Sequence, residues 1–366
     1  MLETRSFAIC VKQKEKKDQV SIKKAHINLW LFLQKKIIVD VGFQLDIKKS
    51  LLNEPLELIF YTPFLIDEQV AFEDLYTKLN NKLTMQIIFN DSVLQYCSLD
   101  ENSDTDEASL IKFANKNPLI LIKPKINRVN ESCISIVIDP TFVRKEEIPE
   151  DSNWYIRFRY ESNRYCNIFV SDNGGVNDKI YFDFRFNEPR QLPRDIIRSI
   201  QASMLEVEKL FVFMMQDLDF KLTLNEKGME YIRFLEVDGF LEYMPELKNL
   251  KKQLLVYFWK MKLDESNPTA NMVIAFEREK ESIKQFRSGV FVNVFSSAIL
   301  LGSDGLNKIN AIYSMEWIKV IINVIHYIFI VLFISSLIYS IIALIRFSPY
   351  FFRNIFKRYW GGGKDG

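Results

Sequence analysis

The chain has 366 residues, with 48 Lys and Arg against 47 Asp and Glu, for a formal net charge of +1. So even a balance gives no global field for nucleic acid, so duplex DNA is not an expected partner and any anion site must be local. Thirty Phe and fifteen Tyr beside only twelve Gly and eleven Pro point to filled cores and exclude a disordered polymer.

In chain order, residues 1–145 read as a β-rich cytosolic domain. Phe7 to Val11 is a short strand, and Lys12 to Lys24 a charged connector. Ile27 to Leu33 and Ile37 to Ile47 are apolar or alternating runs joined near Gln34-Lys35-Lys36, which predicts a hairpin. Leu56 to Tyr61 is a strand stopped by Pro63. Asp67 to Leu79 has Val70, Leu75 and Leu79 on or near one face and acids in its first turn, which predicts a helix. Met85 to Phe89 and Ile134 to Ile138 read as further strands. Between them, Asp100 to Glu107 is an acidic loop that lacks the glycine and terminal glutamate of a calcium-binding EF-hand, so it is read as solvated.

Charge and Pro149 interrupt the pattern between Lys145 and Ser152 and predict a domain boundary. Residues 152–310 then read as an α+β cytosolic domain for sensing and oligomerisation. Trp154 to Tyr160, Tyr165 to Ser171 and Lys179 to Phe186 are β-runs, the latter two joined by Asp172-Asn173-Gly174-Gly175. Helices are predicted from about Pro193 to Met215 and from Met229 to Tyr243. Gln253 to Lys262, Asn271 to Glu277 and Gly289 to Leu301 alternate like strands. The fold class expected is α+β: a β-rich N-terminal domain, a second α+β domain and a single C-terminal transmembrane helix.

That last element rests on the strongest signal in the chain. From Val320 to Ile345, 26 residues carry no formal charge. As a helix they would reach about 39 Å, more than the ~30 Å hydrocarbon core of a bilayer. Residues 317–346 are therefore expected to span a membrane, and residues 347–360 to form a basic, aromatic juxtamembrane segment. Trp317, Arg346, Arg353, Lys357, Arg358 and Trp360 are of the types that gather at the membrane surface. Residues 361–366, Gly-Gly-Gly-Lys-Asp-Gly, read as an appended linker. With Lys319 at 0° and about 100° per residue, Asn323 falls near +40°, His326 near −20°, Ser340 near −60° and Ser336 near −100°. Such a polar stripe at membrane depth predicts a helix–helix interface or a water-lined path in a homo-oligomer, tetramers included.

The N-terminus has no apolar core of the kind a secretory signal needs, and Cys10, Cys97, Cys133 and Cys166 are dispersed with no CxxC pair. Both features place the large region in the cytoplasm of a cell whose inner membrane holds the single span. The basic tail then lies outside, against the positive-inside preference.

Catalytic signatures are missing. Only His26 and His326 are histidines, and no phosphate loop, zincin or nucleophile-elbow motif occurs. Asp217 and Asp219 form a DxD pair without further carboxylates at a readable spacing. No catalytic residue, cofactor or metal is expected, and the chain is not read as an enzyme. Binding chemistry is better represented. Arg157 and Arg159 alternate against Trp154, Ile156, Phe158 and Tyr160, and Lys179, Tyr181 and Arg185 alternate against Ile180, Phe182, Phe184 and Phe186. If the two runs share a sheet, Arg157, Arg159, Lys179, Tyr181 and Arg185 form one face able to hold a nucleotide or oligonucleotide. A solvated sheet face or a subunit contact is the plainer alternative.

Two cytosolic bodies followed by one helix with a polar stripe resemble the transmembrane effectors of bacterial antiviral defence systems, the Hailong-type effector in particular. The resemblance is one of layout and includes no diagnostic motif, so no site residue follows from it. It implies a membrane effector that oligomerises and permeabilises or depolarises the membrane when its cytosolic part senses a nucleotide-type signal. The alternative is a tail-anchored scaffold that recruits a soluble partner to the bilayer.

Overall fold

The structure is a computed structural model. It describes residues 4–31, 36–100, 107–141, 143–162, 169–172, 177–250 and 253–280, together with 283, 285–286, 288–293, 295–296 and 327. The expected membrane span, its juxtamembrane segment and the acidic loop between Asp100 and Glu107 lie outside these residues, Tyr327 excepted. So do Lys319, Asn323, His326, Ser336, Ser340, Trp317, Arg346, Arg353, Lys357, Arg358 and Trp360. Among the described residues no helix is long and apolar enough to cross a membrane.

The first half of the chain forms β1 (Ala8–Val11), β2 (Val20–Trp30), β3 (Ile37–Ile47), β4 (Leu56–Tyr61), β5 (Glu73–Asp74), α1 (Tyr76–Leu79), α2 (Lys82–Phe89), β6 (Val93–Ser98), β7 (Ala108–Phe113), β8 (Leu119–Ile122), β9 (Lys125–Asn130) and β10 (Cys133–Ile138). The second half adds β11 (Asn153–Ser162), β12 (Phe169–Asp172), β13 (Asn177–Phe186), α3 (Arg194–Ile200), β14 (Lys209–Asp217), β15 (Lys221–Asn225), β16 (Tyr231–Phe234), α4 (Val237–Phe240), β17 (Leu254–Lys262) and β18 (Ala270–Glu279). The class is mixed α and β, rich in strands. A ten-stranded sheet has the order β16-β17-β14-β2-β3-β11-β8-β7-β6, with β5 also paired to β11. Two four-stranded sheets have the orders β1-β4-β10-β9 and β12-β13-β18-β15.

Alternation along the central strands decides what each face of the large sheet meets. Ile27 and Leu29 of β2, Val41 and Phe43 of β3, Ile156 and Phe158 of β11, and Val212 and Met214 of β14 all enter one buried core. That core also takes Leu58 and Phe60 of β4, Phe184 of β13 and Ile274 of β18, so all three sheets share it. Phe60 is its hub, with ring centroids 5.9 Å from Phe7, 5.8 Å from Phe43 and 6.1 Å from Phe158. The opposite face of the large sheet carries Trp30, Tyr155 and Met215, packed with Tyr76 and Leu79 of α1, Met85 of α2, and Tyr243 and Met244 after α4. Thus strands cover one face and short helices partly cover the other.

Several expected elements match: the β2–β3 hairpin, β4, β11, β13, β17 and β18. The strand β2 begins at Val20, inside the stretch read as a charged connector. Other expectations need correction. Met85 to Phe89 is the end of helix α2, because the Asn81 side chain accepts from the N–H groups of Leu83 (2.9 Å) and Thr84 (3.2 Å) and starts a helix despite Ile87 and Ile88. Of Asp67 to Leu79 only Tyr76–Leu79 is helical, since Glu73 and Asp74 pair with Arg159 and Phe158 of β11. The helix expected from Pro193 to Met215 stops at Ile200, and Lys209–Asp217 instead lies between β2 and β17 as β14. Within Met229 to Tyr243, Tyr231–Phe234 is an edge strand and only Val237–Phe240 is helical. In the run from Gly289 to Leu301, residues 289–293 and 295–296 are helical. The rings of Phe291 and Phe295, one helical turn apart, stack at 6.2 Å, a spacing the alternating pattern also satisfied.

The division near Lys145 to Ser152 is not a structural boundary. Strand β3 pairs with β11 from Trp154↔Leu45 to Ser162↔Ile37, and β2 pairs in parallel with β14, so strands from both expected domains alternate in one sheet. Two compact units make up the chain, one of Met1–Asp172 with Lys179–Glu277 and the other of Asn173–Asp178 with Arg278–Gly366. The first holds the core just described. In the second, Arg278 Nε donates to Asp178 Oδ2 at 3.1 Å.

Candidate functional site

On the helix-covered face of the large sheet, side chains line up across the strands in register. One row runs Phe211, His26, Gly42 and Arg157 through β14, β2, β3 and β11. The next runs Tyr231, Phe258, Phe213, Asn28, Asp40 and Arg159 from β16 through β17, β14, β2 and β3 to β11. Lys24, two residues before His26, faces the same way, and a bulge between Ile22 and Lys24 keeps Ile22 on the core side. Above these rows is a cleft of about 790 Å³, within the usual size of a small-molecule site.

Its lining is graded. Phe213 and Phe258 stack at 4.5 Å with their planes 19° apart, Tyr231 lies 4.8 Å from Phe258, and the His26 ring lies 5.1 Å from Phe211. These rings form an aromatic wall in which Phe213 and Phe258 are near parallel and Tyr231, Phe211 and His26 are tilted. Among the described residues, Lys24, Lys116, Arg157 and Arg233 are the charged ones that line the cleft, and no Asp or Glu does. Arg233 also lies over the Tyr231 ring at 5.5 Å. Lys116 donates to the backbone oxygen of Phe89 and, at 3.4 Å, to that of Asn90, which closes the end of α2 over the cleft. Burial lowers the pKa of Lys24, and the like charges of Lys116, Lys209 and Lys260 push it the same way.

Beneath this lining is a buried charge network. Asp40 is fully buried, and its carboxylate accepts from Arg159 Nε (2.6 Å), Arg159 Nη2 (3.1 Å), Trp30 Nε1 (2.9 Å) and Tyr243 Oη (2.7 Å). Burial alone would raise the Asp40 pKa, but the charge and hydrogen bonds of Arg159, then Arg157 and Tyr243, bring it below the ordinary value. Burial raises the Tyr243 hydroxyl well above its ordinary pKa, so it stays protonated and donates to Asp40. Arg157 donates from Nε to Tyr243 Oη at 2.7 Å and from Nη1 to Tyr155 Oη at 3.0 Å. Its Nη2 lies 4.0 Å from Asp40 Oδ2 and has no hydrogen-bond partner among the described residues. Asn28 Oδ1, on the same face, is likewise buried and unpartnered. The half-exposed Glu73 reaches Arg159 but not Arg157, so Arg157 keeps a buried donor to spare, and an unpaired buried donor or acceptor costs about 1–3 kcal/mol. Together Arg157 and Asn28 make the cleft floor receptive to a ligand that brings an anion and a hydrogen-bonding edge.

The five residues expected on one ligand face are not together. Arg157 and Arg159 do share a face opposite Ile156 and Phe158, as the alternation predicts, but they are only 3% and 4% exposed. Arg159 is used up by Asp40, Glu73 and the Tyr243 backbone oxygen. Lys179, Tyr181 and Arg185 belong to β13, in a different sheet from β11. Arg185 there pairs with Asp183 and Lys179 approaches Glu277 at 3.9 Å. Of the five, Arg157 alone lines the cleft. The residues missed were Lys24, His26, Asn28, Phe211, Phe213 and Phe258. Their signal was alternation: Ile27 and Leu29 face the core, which turns His26 and Asn28 to the other side.

Among the described residues no group of three or more His, Cys, Asp or Glu is placed to hold a metal ion. Cys10, Cys97 and Cys133 are free thiols, and burial pushes Cys10 up to about 12 and Cys133 to about 11. No family model matches the chain, and no curated protein matches it. Solved structures similar to it include an M1 zinc metallopeptidase from Deinococcus radiodurans, at 8% identity and a TM-score of 0.32, over 70% of this chain and 42% of that one. A mutant of the same enzyme gives 9% identity and a TM-score of 0.32 over the same shares. The chain spans less than half the length of these structures, and likeness at that level carries no argument about fold or activity.

Proposed function

We propose that this chain is a membrane effector whose ligand-sensing body holds a nucleotide-type anion in the cleft of the large sheet. The C-terminal apolar segment, assembled as a homo-oligomer in the cell's inner membrane, then permeabilises or depolarises it. The observation that carries the sensing half is the pairing of an aromatic wall, Phe213, Phe258 and Tyr231, with a lining that, among the described residues, has four cations and no carboxylate. Flat rings stack on such walls and phosphates need such cations. The membrane half draws on the uncharged run from Val320 to Ile345 and on the polar positions Asn323 and His326 within it.

The test combines ion or dye leakage on expression with mass spectrometry of small molecules that copurify. Lys24→Glu with Arg233→Glu should keep the protein in the membrane fraction and abolish both copurification and regulated leakage. Asn323→Leu with His326→Leu should keep insertion and lose leakage alone. Recovery of the full chain as a detergent-free monomer would refute the membrane half. The second reading, a tail-anchored scaffold, draws on edge strand β16, where Tyr231, Ile232 and Phe234 are exposed at the end of the sheet. It predicts a stable protein partner and no leakage.

A further inference from the structure

We infer that the cleft takes up its anionic ligand together with a proton, and that His26 is the group that receives it. The inference rests on the reading of the cleft as an anion site and concerns how that site is regulated. His26 sits in mid-sheet between Phe211 and Gly42, with Nδ1 3.5 Å from Tyr155 Oη. Gly42 has no side chain, and this lets Tyr155 and Arg157 of β11 reach across β3 towards it.

The groups arrayed around the imidazole are cationic on nearly every side. Lys24 shares its strand and face, and Arg157 and the neutral Tyr155 come from β11. Lys116 comes from the segment between β7 and β8, while Lys209 and Lys260, near Phe211 on β14 and β17, act on Lys24. Gln44 on β3 and Phe89 on α2 bring no charge. Of the carboxylates on this face, buried Asp40 is committed to Arg159, Trp30 and Tyr243, Glu73 reaches Arg159, and Asp46 at the far end of β3 approaches Lys23.

In this field burial first, then Arg157, Lys24 and Lys116, hold the His26 pKa well below its ordinary value, so the free site is neutral there. An anion seated among the same cations reverses the local field, and an opposite charge within ~4–6 Å favours the imidazolium. The Tyr155 hydroxyl can accept as well as donate, so it accommodates either form of His26. The sign follows from linkage. The ligand-bound pKa exceeds the free one, so affinity rises as pH falls through the bound value. It levels off below the free value, and its slope is at most about tenfold per pH unit between them.

The experiment is calorimetric titration of the full chain in detergent with 3′,5′-cyclic AMP, CMP, GMP and UMP. Their phosphodiester stays ionised from pH 5 to 8 and the guanine and uracil bases do not titrate there, so cyclic GMP and UMP contribute no proton, and for cyclic AMP and CMP uptake is read at pH 6 and above, where their bases stay neutral. Repeating each titration in two buffers of unlike ionisation enthalpy gives the protons taken up. The expected result is uptake of a fraction of a proton up to about one, with tighter binding towards low pH. His26→Gln should lose the uptake and the slope at whatever affinity it retains. Binding with no uptake and no pH slope would overturn the inference while leaving the anion site standing. Undiminished uptake in a folded His26→Gln variant would overturn it too. If that variant fails to fold, imidazole NMR of the wild type with and without cyclic GMP reports whether His26 gains the proton, and an unchanged His26 signal under bound ligand would overturn the inference. Failure of all four nucleotides to bind at millimolar concentration would sink the anion site and the inference together.

Discussion

Replacing Asp40 with Asn tests whether the charges under the cleft are as buried as they look. The carboxylate meets four donors, two from Arg159 and one each from Trp30 and Tyr243, at 2.6 to 3.1 Å. An amide has one acceptor oxygen. In either orientation its NH2 faces at least one of these donors, and both guanidinium groups lose their buried counter-charge. Removing one partner from a buried ion pair costs about 3–5 kcal/mol, a large share of a total stability of about 5–15 kcal/mol. The melting temperature of the full chain in detergent, read by Trp fluorescence, should fall by on the order of 10 °C. Acid sensitivity should change as well. A carboxylate held below its unfolded pKa of about 3.9 stabilises fully above that value and loses its contribution as pH falls through the lower folded one. The wild type should therefore lose stability below about pH 4 more steeply than Asp40→Asn does. A variant that melts within about 1 °C of wild type would mean the arginines are solvated, and the account of the network would be wrong.

Gly42→Ala should disturb the cleft floor without touching a charge. A Cβ there would lie 2.5 Å from Tyr155 Oη and 3.2 Å from Tyr155 Cζ, so the ring must move and its hydrogen bond from Arg157 must break. We expect a loss of about 1–3 kcal/mol in thermal unfolding together with weaker ligand binding; unchanged melting would refute the close approach. Asn81→Ala removes the cap that starts α2 and should cost about 1 kcal/mol, with hydrogen exchange accelerating first in residues 82–89. Uniform acceleration across the sheet would contradict a local role.

Much of the framework was legible because strands announce themselves by period. The runs that became β3, β4, β11, β13, β17 and β18 alternate or stay apolar over lengths that helices rarely use. Errors gathered where tertiary pairing overrode local pattern. Lys209–Asp217 carries Leu210, Val212 and Met214 at strand spacing, yet the preceding helical pattern ran on into it. Glu73 and Asp74 look helical in isolation and become a bridge only because β11 is there to receive them. Strands β6 to β9 were not read at all. In β9 exposed polar side chains leave little apolar period, and in β6 Leu94 and Tyr96 are exposed beside Gln95, so only their neighbours in the sheet define them.

The arginine face shows where sequence reasoning stops for a physical reason. Alternation correctly separated Arg157 and Arg159 from Ile156 and Phe158, because a strand's period depends on its own backbone. What covers a face depends on segments far away in the chain. Tyr243, 86 residues after Arg157, lays its ring 5.6 Å from that guanidinium and 4.8 Å from Arg159, while Asp40 reaches Arg159 from 119 residues before. Covered in this way, Arg159 becomes structural, held on three sides. Arg157 keeps one nitrogen unpaired beside an already saturated carboxylate. The same burial that removes Arg159 from ligand chemistry suits Arg157 to the anion site proposed above: a guanidinium shielded from water, held by Tyr155 and Tyr243, would have little rotamer freedom left to lose on binding an anion.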